Sequence, residues 1–168
     1  MLHSIQDEKS PIIRKLESLG IELPEPPLPG GNYSSLITRS NVAYIAIQFP
    51  ISNGTFLYQG ILGEELDTDD GYQAIRLCAL NVLAQIDKYL DIQLIEGLNH
   101  IEIFYRGSDD WDSAPLVANG ASNLFAEVLE DKGHHTRSII GVKTLPRNFS
   151  VGLTATLTLR VSRSWIHY

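Results

Sequence analysis

Arg137 stands in the stretch HHTRSIIGVKTLP (residues 134–146), between two histidines and an apolar run that ends in Leu-Pro. A guanidinium is a planar fork of donors that matches a carboxylate and does not lose its charge in practice. His134 and His135 could act as acids, bases or metal ligands, but adjacent residues on a strand point to opposite sides. The residues alone leave two interpretations of Arg137 open: an ordinary charge at the start of a strand, or a group that holds an anion.

Composition limits the partners that this chain can have. Its 168 residues fit one domain, and a net charge of −7 gives no general attraction to nucleic acid or anionic lipid. No stretch of 18 apolar residues indicates a membrane span, and the N-terminus lacks the apolar core of a secretory signal, so we expect a cytoplasmic protein. The single cysteine, Cys78, excludes an intrachain disulfide and zinc sites with several thiolates. We expect no metal and no cofactor.

The elements that must position Arg137 begin with a short helix. Ser10-Pro11 suits a helix start and Gly20 suits its end, with apolar residues between them. A stretch rich in proline and glycine follows and predicts an extended connector. We divide the chain into an N-terminal helix and proline-rich lead (residues 1–30) and one domain (residues 31–168).

A hairpin is predicted next. Residues 41–50 are dense in β-branched and aromatic side chains, which is typical of a buried strand. Asn53-Gly54 is a strong turn signal, because both residues tolerate positive φ. Residues 55–58 would then return as the paired strand.

Two long helices are predicted after the hairpin. In the first, Thr68 is the expected N-cap, and Cys78 lies beside the apolar stripe, as a small buried hydrophobe or a reactive thiol. In the second, Asn119-Gly120 is unusual because glycine costs about 1 kcal/mol relative to alanine in a helix, and it suggests close packing or a nearby ligand. The stripes consist of Ile75, Ala79, Val82, Ile86 and Leu90 in the first helix and Val117, Ala121, Leu124 and Val128 in the second.

Three further strands are predicted, over residues 98–106, 137–145 and 151–161. The order of elements predicts an α+β fold: a mixed sheet with both long helices on one face. Tyr44, Ile47, Phe49 and Ile103 make the strands apolar enough to predict burial on both sides. Oligomerisation through the face without helices would supply that burial.

Four stretches in this order resemble the RidA/YjgF family, also labelled endoribonuclease L-PSP or translation initiation inhibitor. They are LGIELPEPPLPGGNY, GYQAIRLCALNVLAQI, VANGASNLF and TRSIIGVKTLP, and the resemblance covers residues 16–159. It implies the chorismate-mutase-like α+β fold. It also implies a homotrimer whose sheets form a central barrel, with the helices outside and a cleft at each subunit interface.

The resemblance further implies a chemistry and a set of site residues. Active family members hydrolyse 2-imino or enamine acids to 2-keto acids and ammonia. By resemblance, Arg137 holds the substrate carboxylate and is the candidate catalytic residue, Tyr33 and Asn119 line the cleft, and the main chain at Ile139 approaches the substrate nitrogen. From the residues alone, Tyr33 could instead anchor its loop, and Asn119 could be a polar residue near a helix start.

Two positions depart from the family pattern. The family's Ser-Gly-Gln motif is Ala46-Ile47-Gln48 here, so a hydroxyl is missing and a side chain stands where the substrate would approach the backbone. The catalytic glutamate, which orients the attacking water, falls at Gly152. No carboxylate side chain occurs between Arg137 and the end of the sequence.

Three functions therefore remain to be compared. The first is an imine or enamine deaminase in which Glu64, Glu65, His134 or His135 replaces the missing glutamate. The second is a non-catalytic ligand-binding or regulatory member that has lost it. The third is the ribonuclease of the older label, against which the net charge of −7 argues, since that chemistry needs a basic groove.

Overall fold

The computed structural model describes residues 9–161. The predicted boundaries at residues 1 and 168 lie outside them, and the division at residue 30 stays a prediction. Helix α1 (Pro11–Ser18) begins as predicted, because the Oγ of Ser10 accepts a hydrogen bond from the N–H of Ile13 at 3.2 Å. It buries its apolar side in the same core as the rest of the chain.

Seven strands and two long helices follow α1. In chain order they are β1 (Leu36–Arg39), β2 (Val42–Gln48), β3 (Ile51–Ser52), β4 (Thr55–Phe56), α2 (Thr68–Tyr89), β5 (Ile95–Tyr105), α3 (Ala114–Leu129), β6 (Thr136–Gly141) and β7 (Val151–Leu159). Five strands form one sheet in the order β1-β2-β7-β5-β6, antiparallel except for the parallel pair β5–β6. The predicted mixed sheet is confirmed, and α3 is the crossover that the parallel pair needs.

The predicted hairpin is wrong in its pairing. Strand β2 pairs with β1, which the sequence analysis missed, and with β7. The Asn53-Gly54 turn forms, with positive φ at both residues, but it joins only β3 and β4, which make a separate two-stranded ribbon. In the sheet, β5 lies between β6 and β7, the last two strands of the chain.

Helix α2 begins one residue earlier than expected. Asp67 is the N-cap and forms a reciprocal capping box with Asp70. Thr68 is the first helical residue, and its hydroxyl accepts a hydrogen bond from the indole N–H of Trp111 at 3.0 Å. Cys78 is fully buried, and burial raises the pKa of its thiol well above the usual value, which agrees with a small core residue.

Both long helices cover the same face of the sheet, as predicted. Their apolar stripes and one side of each central strand form a continuous core. The glycine of Asn119-Gly120 lies where the helices are closest: a Cβ on Gly120 would stand 2.3 Å from the carbonyl oxygen of Tyr72. Close packing therefore explains this glycine. No helix within residues 9–161 is both long and apolar enough to cross a bilayer.

The opposite face of the sheet is more polar than expected. Tyr44 is 49% exposed there, beside a shallow depression of about 300 Å³ whose lining includes Thr154, Thr156, His100 and Glu102. Ile103 is buried as predicted, but in the helix-side core, and the single subunit leaves Tyr44 uncovered on the open face. Oligomerisation through this face stays a prediction.

Candidate functional site

Arg137 lies on the edge strand β6 and points toward the helices. In the β5–β6 register it is opposite Ile101, which is fully buried in the helix-side core. Side chains opposite each other in a ladder share a face of the sheet. The long arginine side chain, itself half-buried, therefore reaches α3 rather than the open face.

Two neutral acceptors on α3 hold the guanidinium. Nη1 of Arg137 donates to Oδ1 of Asn119 at 2.9 Å and to Oγ of Ser122 at 3.1 Å. Asn119 and Ser122 are three residues apart, so they lie on one side of the helix. Within residues 9–161, Nε and Nη2 of Arg137 have no hydrogen-bond partner. No carboxylate of those residues forms an ion pair with Arg137. One edge of the donor fork is left for an external acceptor.

His135 extends this network. Its Nε2 lies 2.9 Å from Oγ of Ser122, and its Nδ1 lies 2.6 Å from the carbonyl oxygen of Gly133. The carbonyl can only accept, so Nδ1 donates, and in the neutral imidazole Nε2 accepts from the Ser122 hydroxyl. The resulting chain runs from Arg137 to Ser122, then from Ser122 to His135.

Gly133 is what allows His135 to approach α3. A Cβ at Gly133 would lie 2.2 Å from the carbonyl oxygen of Phe125, a backbone atom that cannot turn away. The ring of His135 meets that of Phe125 edge to face at 5.9 Å. The adjacent His134 is exposed, so the two histidines are not placed as a pair.

A shallow depression of about 360 Å³ opens at this network. Arg137, Asn119, Ser122 and both histidines are among the residues that line it. Ile139, two residues along β6, is half-buried and packs against the core on the same side of the sheet. The structure thus brings two of the four predicted ligand-binding residues, Arg137 and Asn119, into contact, whereas Ile139 lies on the same side of the sheet but does not line the depression.

Tyr33, the fourth, lies elsewhere in the subunit. It is 51% exposed, and its hydroxyl oxygen accepts a hydrogen bond from the N–H of Gly30 at 3.1 Å. It lines a different cavity of about 470 Å³ near the ends of β2 and β3. Arg137 lines the depression at β6, so a single subunit does not assemble the predicted site.

Gly152 borders side chains that fill the place of a glutamate. A Cβ built on Gly152 would lie 2.8 Å from Cδ1 of Ile47 and 3.0 Å from Cε1 of Phe49. At separations this short Ile47 or Phe49 would have to shift, so these two side chains occupy the space that a larger residue at position 152 would need. The two departures from the family pattern are therefore neighbours in the structure: the side chain at position 47 occupies the space next to position 152.

The other carboxylates considered as replacements lie away from Arg137. Neither Glu64 nor Glu65 lines its depression or the cavity at Tyr33. Oε2 of Glu65 accepts from the N–H of Ile61 at 2.8 Å. This bond, a bond from its own N–H and the nearby Arg106 lower the pKa of Glu65, which keeps it ionised and tied to its loop.

Ser122 is the site residue that the sequence analysis missed. Its signal was its spacing of three residues from Asn119 on a predicted helix, which places both on the same side.

Among the described residues, no group of three or more histidine, cysteine, aspartate or glutamate side chains could hold a metal ion.

Comparison with known proteins places this geometry in context. The family model described as "YjgF/chorismate_mutase-like, putative endoribonuclease" matches residues 14–157, which include every candidate site residue. Protein TCP17 of Trypanosoma cruzi is 31% identical over 150 residues, which are 88% of this chain and 94% of that protein.

Two solved structures are similar over almost their whole length. The protein Atu1372 of Agrobacterium tumefaciens is 33% identical with a TM-score of 0.81, and the match covers 89% of this chain and 92% of that one. A protein of Shewanella oneidensis MR-1, named a "putative endoribonuclease", is 29% identical with a TM-score of 0.85, covering 90% of this chain and 100% of that one.

Proposed function

Because the chain belongs to the RidA/YjgF family, we propose that it binds a small carboxylate, a 2-keto or 2-imino acid, at Arg137. One observation carries the proposal: the guanidinium is held by an amide and a hydroxyl and has no carboxylate partner within residues 9–161. A half-buried cation without a counter-ion favours an external anion.

The complete cleft would form between subunits. Arg137 lies on the edge strand β6, whereas Tyr33 lies in the lead to β1, the strand at the other edge of the sheet. A second copy whose β1 edge approaches β6 would bring its Tyr33 toward Arg137. A closed ring of such contacts is a homotrimer in the family arrangement.

Binding can be tested with pyruvate by titration calorimetry on the intact protein. We expect Arg137→Ala to weaken pyruvate binding about 10- to 100-fold, the usual cost of losing a hydrogen-bonded charge. Arg137→Lys should also weaken it, because an ammonium lacks the planar fork. Arg160→Ala removes an exposed arginine outside both cavities and serves as the matched control. Unchanged affinity in Arg137→Ala would contradict the proposal.

Hydrolysis is the second candidate function. Water would attack the imine carbon, the C=N bond would become C=O, and ammonia would leave. The observation that favours it is the hydrogen-bonded pair of Ser122 and His135 beside Arg137, which offers an acid or base near a bound carboxylate. The side chains of Ile47 and Phe49 in the glutamate's place count against it.

An assay that generates the imine in place, with an amino-acid oxidase, separates the two functions. Keto-acid release above the protein-free control that falls in Ser122→Ala would support hydrolysis. Release equal to the control, together with Arg137-dependent pyruvate binding, would establish binding without catalysis.

A further inference from the structure

The cavity at Tyr33 has aromatic and aliphatic walls. We call it the aromatic pocket and define it by Phe49, Phe56, Phe149, Ile47 and Tyr33. Its volume of about 470 Å³ lies within the range of small-molecule sites. Its other lining residues include Leu28, Ile51 and three prolines, together with Ser35, Gln48 and the cationic Arg147. A ligand group that entered it would meet mainly carbon.

The three phenylalanines form one rigid cluster. The rings of Phe49 and Phe149 stack with centroids 4.9 Å apart and 8° between their planes. Phe56 meets Phe149 edge to face at 5.3 Å and 69°. Phe149 is 1% exposed, whereas Phe56 is 43% exposed and so offers its ring to the cavity. Aromatic walls suit a flat ring, which can stack or meet them edge to face, better than an aliphatic group.

The amide at the wall of the pocket is already committed. Nε2 of Gln48 donates to the carbonyl oxygen of Ala46 at 2.9 Å, and its Oε1 accepts from Gln85 at 3.3 Å. The hydroxyl oxygen of Tyr33 is bonded to Gly30. A polar ligand group placed against Gln48 would leave water and meet an amide that is already bonded, which costs free energy.

The pocket adjoins the place where the family resemblance puts a glutamate. Ile47, a wall of the pocket, and Phe49 fill the space above Gly152. Ile47 and Phe49 therefore give the pocket a hydrocarbon wall at the place where the family resemblance puts the carboxylate of a glutamate. Tyr33 connects the pocket to the proposed cleft, because it lines the pocket and is the residue expected near Arg137 of a neighbouring copy.

We propose that the carboxylate ligand of this protein carries an aromatic side chain and that its ring lies in the aromatic pocket. The proposal rests on the carboxylate binding proposed above and names its ligand class. Arg137 holds the carboxylate, and the hydrocarbon walls contact the ring. Transfer of the ring from water and its contact with Phe56 both favour such a ligand over pyruvate.

Three keto acids with the same head group test the proposal: pyruvate, 3-cyclohexyl-2-oxopropanoate and phenylpyruvate. Titration calorimetry on the intact protein should show phenylpyruvate binding at least about 10-fold more tightly than pyruvate, as expected for burial of a phenyl group. It should also bind several-fold more tightly than the aliphatic acid of similar size, because only a flat ring pairs with the phenylalanines.

Variants of Phe56 test whether the preference for phenylpyruvate arises in the aromatic pocket. Phe56 is suitable because its ring is exposed, so its loss disturbs the core least. Phe56→Ala should reduce the preference for phenylpyruvate over pyruvate to less than about 3-fold. Phe56→Leu keeps the apolar bulk and should lose mainly the preference over the aliphatic acid. Tyr89→Ala removes an aromatic ring that is 50% exposed and lines neither the aromatic pocket nor the depression at Arg137, so it should change nothing.

The outcomes separate this proposal from the function on which it rests. If all three acids bind equally and Arg137→Ala abolishes binding, carboxylate binding stands and the aromatic ligand class is wrong. If the aliphatic acid matches phenylpyruvate, the pocket is apolar without being selective for rings, and the proposal is wrong. If none of the acids binds, both proposals fail.

Discussion

At Arg137 the partners that hold the guanidinium are an amide and a hydroxyl rather than a carboxylate. A carboxylate would neutralise the charge, and an entering anion would then have to compete with it. Neutral acceptors fix the position of the side chain and leave its charge unbalanced. His135 adds to this arrangement because, as an acceptor, it orients the Ser122 hydroxyl so that a lone pair faces Arg137.

The prediction at the scale of a single residue concerns the stability of a Gly120 variant. Gly120→Ala should destabilise the protein by about 1–3 kcal/mol, the usual cost of overpacking, although alanine favours helix. The new Cβ would stand 2.3 Å from a backbone carbonyl oxygen of α2, which moves only if the whole helix moves. Chemical denaturation measures the change.

Gly71→Ala is the matched control within the helix pair. Its Cβ would meet side-chain atoms only, of Val117 at 2.7 Å and Leu62 at 2.9 Å, and side chains can rotate away. We expect the smaller loss of stability here. Equal losses at positions 71 and 120 would mean that the approach of the two helices at Gly120 is looser than the structure shows.

Among the elements, the helices were easier to predict than the strand pairings. Helix periodicity and the start signals at Ser10 and Thr68 are local, and they located all three helices within a few residues. Strand β1 (Leu36–Arg39) is four residues long with alternating exposure, so it has no run of buried side chains to mark it. The Asn53-Gly54 turn was correctly identified, but a turn signal does not show how far its strands extend.

The site was predictable only in part, for a related reason. Arg137 and Asn119 could be named from motifs, and the structure joins them by a hydrogen bond. The sequence could not show that the space next to Gly152 is occupied, because Ile47 and Phe49, which occupy it, lie over a hundred residues earlier in the chain. Contacts between distant strands are set by the register of the sheet, which no local pattern encodes.

The contact between β2 and β7 allows an element-scale prediction. Gly152→Glu should destabilise the protein by about 3 kcal/mol, because the side chain meets Ile47 and Phe49 and buries a charge without a partner. The double variant Ile47→Gly and Gly152→Glu should lose less than the sum of the two single changes, with a coupling of about 1–3 kcal/mol. Urea denaturation of all four proteins gives the cycle.

A second cycle with Ile37→Gly is the control. Ile37 pairs with Tyr44, and Tyr44 pairs with Thr156, four residues along β7 from Gly152. Ile37 and Gly152 should therefore act independently, with stability changes that add. Additivity in the Ile47 cycle as well would show that the two departures are not spatially linked.

For the whole molecule, we expect a homotrimer of about 56 kDa, three times 18.7 kDa. Tyr44→Arg should give single subunits, because it places a charge on the open face, where Tyr44 is 49% exposed and contributes little to the fold of one subunit. These subunits should keep their circular dichroism spectrum and bind pyruvate at least about 10-fold more weakly, since an interfacial cleft would be lost. Light scattering after size exclusion measures the mass.

Tyr89→Arg, a substitution of an exposed tyrosine at the end of α2, should leave the mass and the affinity unchanged. A wild-type mass of 18.7 kDa with full pyruvate affinity would place the whole binding site within one subunit and contradict the interfacial cleft.

The position of β7 in the sheet has a consequence for synthesis on the ribosome. This strand (Val151–Leu159) lies between β2 and β5 and pairs with both, yet it is translated after every other strand described here. A nascent chain that has reached only residue 150 holds two strand pairs, β1–β2 and β5–β6, each with an unpaired edge facing a gap. Strand β7 begins 103 residues after the end of β2, at Val151 against Gln48, so the sheet closes only when β7 has left the ribosome. The emerging chain would depend on chaperones until then.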